Sequence, residues 1–143
     1  MKKRIIALGL LWCLSAVMLQ AARVDTVLVR SAAMNKDVKV VYVLPDKAIG
    51  KQACPVVYLL HGYGGNARSW VQLKPELPQM ADEKGIIFVC PDGKNSWYWD
   101  SPENPAYRYE TFVTSELVKY TDGNYATIPD RKARAISGLS MGG

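Results

Sequence analysis

The run Val56-Val57-Tyr58-Leu59-Leu60 carries no polar break before it opens into His61-Gly62-Tyr63-Gly64-Gly65. A strand with one wet face alternates apolar and polar residues, whereas a continuous apolar run belongs to a strand covered on both faces. Ile86–Cys90 repeats the pattern. Upstream, Val24–Arg30 and Val38–Leu44 do alternate, and the polar stretch Ser31–Asp37 between them reads as a turn, so this pair predicts an antiparallel hairpin. Pro45 to Ala53 reads as a surface loop. A helix is expected from near Pro78 to Gly85, with proline in the first turn and glycine after the last. Tyr109–Tyr120 predicts an amphipathic helix, with Phe112, Val113, Glu116, Leu117 and Tyr120 at spacings of three and four, closed by Gly123 and Asn124. Covered strands alternating with helices after an opening hairpin imply an α/β layered sheet. Repeats and low-complexity tracts are absent from the sequence.

The chain opens on Lys2, Lys3 and Arg4, then an uncharged stretch Ile5–Leu19, then Gln20-Ala21-Ala22. A basic start, a short apolar core and small residues at the end describe a secretory signal peptide over residues 1–22, with cleavage near Ala21 or Ala22. The apolar core, 15 residues, is shorter than the roughly 20 needed to span a bilayer as a helix. The expectation is a secreted or periplasmic protein with no stable membrane association after cleavage. Without Lys2, Lys3 and Arg4 the 18 basic residues become 15 against 13 acidic ones, a net charge of +2. The basic balance therefore belongs to targeting, and no lysine–arginine cluster points to nucleic acid. Cys54 precedes one covered strand and Cys90 ends the other. As parallel neighbours these strands would hold the sulfurs on the order of 20 Å apart, at about 3.3 Å per residue. A disulfide needs Cα atoms within about 7 Å, so free buried thiols are expected.

Two motifs carry chemistry. Gly138-Leu139-Ser140-Met141-Gly142 is a G-x-S-x-G nucleophile elbow, a sharp turn that lifts a serine hydroxyl clear of a sheet. Ala133–Ser137 reads as the short strand that delivers it. The glycine-rich loop His61–Gly65 lets backbone N–H groups approach a substrate oxygen. No His/Cys/Asp cluster has the spacing of metal ligands, and neither a metal nor an organic cofactor is expected. Trp97, Tyr98 and Trp99 lie on the long loop from Pro91 to about Pro105, at the carboxyl edge of a strand where α/β enzymes bind ligands. They suit a substrate-binding wall, or serve to pin the loop to the core. Asp92 and Asp100 read as turn-ordering residues, and Glu110 and Glu116 as helix-surface carboxylates.

The loop Val56–Gly65, Pro91-Asp92-Gly93, Ser96–Pro102, Tyr109-Glu110-Thr111-Phe112 and Gly138–Gly143 together resemble the esterase D branch of the α/β-hydrolases. That branch includes feruloyl and acetyl-xylan esterases, S-formylglutathione hydrolase, tributyrin-type esterases and mycolyltransferases. The resemblance implies an α/β-hydrolase fold, with residues 23–143 as the N-terminal part of a mostly parallel sheet opened by an antiparallel hairpin and ending at the elbow. It implies Ser140 as nucleophile, and the backbone N–H groups of Met141 and Tyr63 as oxyanion donors, with Gly62 the alternative to Tyr63. The branch takes its acid and histidine from beyond the elbow, in the order Ser, Asp/Glu, His. His61, the only histidine, stands upstream of the serine and is expected to hold the loop. The implied function is a secreted serine esterase acting through an acyl-enzyme on small-molecule or polysaccharide-linked esters. An acyltransferase or thioesterase on the same scaffold, and a non-catalytic binding module, are the alternatives. Export argues against a glutathione thioester as substrate.

Overall fold

The computed structural model of the chain describes residues 22–143; apart from Ala22, the leader expected over residues 1–22 lies outside them. Strands β1 (Arg23–Ser31) and β2 (Lys36–Leu44) form the expected antiparallel hairpin, with Val27 opposite Val40. After helix α1 (Asp46–Ile49) come β3 (Val56–Leu60), α2 (Ser69–Leu73), α3 (Leu77–Lys84) and β4 (Ile87–Pro91). A long loop leads to a helix made of α4 (Tyr109–Thr111), a π-helical turn (Phe112–Glu116) and α5 (Leu117–Asn124), and then to β5 (Arg134–Gly138). The sheet order is β1-β2-β4-β3-β5. β2 meets β4 antiparallel, while β3 runs parallel to both β4 and β5. The hairpin thus edges a parallel unit.

Why β3, β4 and the second half of β2, Val40–Leu44, are apolar throughout is visible in the way their residues alternate between faces. Val40, Tyr42, Val56, Tyr58, Leu60, Ile87 and Val89 face one core, which Tyr109, Phe112, Val113 and Leu117 cover. Val41, Val43, Leu59, Phe88 and Cys90 face the other, under Ala67, Leu77 and Ala81. Each strand feeds two cores, so the fold has three layers, helix on sheet on helix. Cys54 belongs to the first core and Cys90 to the second, and both are free thiols. At the start of the described chain, Ala22 N–H donates to Asp82 Oδ2 at 2.7 Å, and Asp82 Oδ1 accepts from Asp46 N–H at 2.9 Å.

Two expectations need correction. The segment Pro45–Ala53 holds α1, a single turn too short to show a helical period. Gly123 does not end its helix: α5 runs on through Asn124, whose Nδ2 donates to the Tyr120 carbonyl at 2.8 Å, and the chain leaves at an extended Tyr125. The Tyr125 ring stacks on Tyr42, centroids 4.2 Å apart, so tertiary packing sets that end. Gly85, by contrast, ends α3 in the left-handed conformation expected of it, at φ 63°.

Candidate active site

β5 delivers its residues to the end of β3. Pairing runs from Val56–Arg134 to Leu60–Gly138, and Leu139 N–H continues it to the Leu60 carbonyl at 3.2 Å. The chain then turns sharply through a 3-10 turn at Ser140–Gly142. Ser140 sits at φ 53°, in the left-handed region. For a non-glycine residue that conformation costs on the order of 1–3 kcal/mol and is characteristic of functional turns. The glycines around it are sterically required. A Cβ on Gly138 would stand 1.9 Å from the Gly142 carbonyl oxygen, and one on Gly142 would stand 2.6 Å from Leu60 Cβ. Ser140 is exposed, and its hydroxyl has no hydrogen-bond partner among the described residues.

The glycine-rich loop lies against this turn. A Cβ on Gly62 would come 3.3 Å from the Leu139 carbonyl oxygen and 3.6 Å from Ser140 Cβ. So the two motifs, far apart in sequence, share one place at the carboxyl ends of β3 and β5. The N–H groups of Tyr63 and Met141, the two expected oxyanion donors, have no protein acceptor among the described residues, and neither has that of Gly62.

His61 is buried, and both ring nitrogens are occupied. Nδ1 lies 2.7 Å from the Gly62 carbonyl oxygen, and Gly93 N–H donates to Nε2 at 3.0 Å. Asp92 Oδ1, at 3.6 Å from Nε2, is beyond hydrogen-bond reach. The Tyr98 hydroxyl accepts from His61 N–H at 3.0 Å, and burial raises the Tyr98 phenol above its ordinary range. Asn95 Oδ1 accepts from Gly64 N–H at 2.8 Å. Asn95 is a residue that sequence reasoning passed over. The contact spans 31 positions, and no periodicity encodes it.

The other candidates fall into place around this pair. Asp92 accepts from Lys94 N–H at 3.0 Å and from Lys94 Nζ at 2.8 Å, a turn-ordering arrangement. Asp100 accepts from Thr111 N–H at 3.0 Å and orders the start of α4. Glu116 is no idle surface carboxylate: it accepts from Ser31 Oγ at 2.6 Å and Ala33 N–H at 2.8 Å, tying the helix to the hairpin. A cleft of about 510 Å³ opens along β5, lined by Leu60, Trp97, Tyr98, Ile136 and Met141 among others. Trp97 is 62% exposed beside it. Trp99 is also exposed but does not line that cleft. Among the described residues no three His, Cys, Asp or Glu side chains gather to hold a metal ion. Nor is any described helix long and apolar enough to cross a membrane.

A strand ending in a serine held at positive φ, beside a glycine-rich loop from the neighbouring parallel strand, defines an α/β-hydrolase fold. Comparison with known proteins agrees. The family model described as "Putative esterase" matches residues 31–143, and the chain belongs to that family. An acetyl esterase of Caldicellulosiruptor saccharolyticus is 28% identical over 121 residues, covering 79% of this chain and 45% of the relative. An endo-1,4-beta-xylanase/feruloyl esterase of Xylanibacter ruminicola is 38% identical over 103 residues, 66% of this chain and 14% of that protein. Among solved structures, an S-formylglutathione hydrolase from Agrobacterium tumefaciens superposes with a TM-score of 0.75 at 28% identity, covering 86% of this chain and 50% of that one. The chain spans about half the length of relatives such as the acetyl esterase.

Proposed function

We propose that the protein of which this chain is part is an exported serine esterase, and that Ser140 is its nucleophile. The observation that carries the reading is Ser140 at φ 53°, exposed, with Gly62 packed against its Cβ position. Ser140 Oγ attacks the ester carbonyl, and the alcohol leaves as the acyl-enzyme forms. Water then attacks the acyl-enzyme, releasing the acid and restoring the hydroxyl. The carbonyl oxygen, negative in each tetrahedral intermediate, lies against the N–H groups of Met141 and Tyr63. One such donor lowers the barrier by about 3–4 kcal/mol. Because the backbone does this work, Met141 need not be methionine, nor Tyr63 tyrosine.

A serine hydroxyl is a weak nucleophile without a base. His61, the only histidine in these 143 residues, has both nitrogens engaged away from Ser140. His61 is therefore not the base in this reading; the family order Ser, Asp/Glu, His has the base follow the serine in sequence. The names of two relatives, acetyl esterase and feruloyl esterase, favour acyl groups carried on plant polysaccharides as substrates. Trp97 and Tyr98 supply the aromatic side of the cleft. The basic, apolar and small-residue start of the chain supports export.

The full-length protein is expected to hydrolyse short-chain nitrophenyl esters and to be labelled by a fluorophosphonate on Ser140. Mass spectrometry that places the label on another residue, or full turnover in Ser140→Ala, would overturn the assignment.

A further inference from the structure

We infer that His61 is a positioning residue that aims the Tyr63 N–H at the reacting oxygen, and that Gly93, Tyr98 and Asn95 hold it in that role. The inference rests on Ser140 being the nucleophile proposed above. A peptide unit is planar, and in its trans form the carbonyl and the following N–H point in opposite directions. Fixing the Gly62 carbonyl therefore fixes the Tyr63 N–H. The Gly62 oxygen has two donors on its own side: His61 Nδ1 at 2.7 Å and Gly65 N–H at 3.0 Å. With the carbonyl drawn to the buried His61 ring, the Tyr63 N–H is turned the other way.

The ring can donate from Nδ1 only if the proton is there. Neutral imidazole has one donor and one acceptor nitrogen, and the partner of one decides the state of the other. Gly93 N–H points at Nε2 from 3.0 Å, which requires Nε2 to be bare and places the proton on Nδ1. Gly93 must also be glycine, because a Cβ there would stand 2.2 Å from the Tyr98 ring. The loop ends are clamped in turn: His61 N–H to Tyr98 Oη, and Gly64 N–H to Asn95 Oδ1. Of the five N–H groups from His61 to Gly65, those of Gly62 and Tyr63 alone have no protein acceptor among the described residues. Lys94, Trp97 and Tyr98 all sit at positive φ, so the clamping loop holds strain that its contacts must offset.

The test uses the full-length protein with a nitrophenyl ester, and four variants: His61→Ala, His61→Asn, Tyr98→Phe and Asn95→Ala. An interaction made only in the transition state lowers kcat and kcat/KM together and leaves KM alone. His61→Ala is expected to lower kcat about 100-fold with KM little changed, the scale of a lost oxyanion donor. His61→Asn, whose amide N–H replaces the Nδ1 donor, is expected to recover about tenfold of that loss. Tyr98→Phe and Asn95→Ala keep the ring and test the clamp, each with kcat down about tenfold. Ring ¹⁵N NMR of the wild type should show a protonated Nδ1 and a bare Nε2. Unchanged kcat in the Tyr98 and Asn95 variants, or a bare Nδ1, overturns the inference even if His61→Ala fails to fold. A wild type unlabelled at Ser140 would sink the esterase reading instead, and the NMR result would still decide the tautomer.

Discussion

Gly138 and Gly123 are glycine for opposite reasons. A Cβ on Gly138 meets the Gly142 carbonyl oxygen at 1.9 Å, and the obstacle is backbone, which cannot rotate aside as a side chain could. Gly138→Ala is expected to destabilise the full-length protein by at least about 2 kcal/mol and to abolish Ser140 labelling. Gly123 lies within α5, and a Cβ there meets nothing within 4 Å. Gly123→Ala should stabilise by about 0.5–1 kcal/mol through helix propensity and chain entropy. Urea midpoints measure both, and a Gly138→Ala protein as stable as its parent would contradict the steric account. Asp92 adds a pH dependence. Burial alone would raise its carboxyl, but the neighbouring His61 ring, together with the hydrogen bonds from the Lys94 ammonium and backbone, prevails and holds it well below the ordinary carboxylate range. The unfolded chain titrates this group near ~3.9. Its contribution to stability is thus complete above about pH 5 and declines as the pH falls through the lower folded-state value. Stability curves from pH 6 to pH 3 should fall less steeply for Asp92→Asn than for wild type.

β5 is the exposed element. It pairs with β3 along one edge, and its other edge has no partner among the described residues; Ala135, Ile136 and Ser137 are all exposed, Ile136 at 58%. An open edge with apolar side chains invites pairing between molecules. Residues 23–143 produced alone should self-associate on size exclusion and show no ester turnover. A soluble monomer with Ser140-dependent turnover would defeat this expectation. The elements buried on both faces were legible in the sequence, since β3 and β4 carry apolar residues at every position that faces a core. The hairpin was legible from the alternation of β1 and the polar turn, but β2 does not alternate as expected: Val40–Leu44 are buried on both faces because β2 pairs with β1 and β4 inside the sheet. The π-helical turn Phe112–Glu116 was not legible, because spacings of three and four tolerate one wider turn without breaking an apolar stripe. The two short helices α1 and α2 lack the length to show a period. At the site, the serine turn and the glycine loop each announced themselves through glycines that the geometry requires. Their clamp did not, because Asn95 and Tyr98 act through single side-chain bonds to distant backbone.

At the scale of the whole molecule, two cores share one sheet, and the two cysteines among the described residues, Cys54 and Cys90, divide between them. Cys90 is fully buried, and burial pushes its thiol up to about 12, which fits an unreactive core residue. The proposed export gives the first described residue a second meaning. In the precursor the Ala22 nitrogen is an uncharged amide. Cleavage after Ala21 makes it an α-ammonium, so the same 2.7 Å contact with Asp82 turns from a hydrogen bond into an ion pair. Such a pair contributes roughly 0.2–1 kcal/mol, present below the free amine's pKa of about 8 and lost as the pH rises past its raised folded value. A mature protein that begins at Ala22 should melt slightly above one that begins at Arg23, and Asp82→Asn should erase the difference; an N-terminus still at Met1 would refute the cleavage itself. On the proposed export, the leader would act as a weak hold on folding. The contact is an uncharged hydrogen bond in the precursor and would become an ion pair in the cleaved product, so the fold would tighten slightly once the leader is removed.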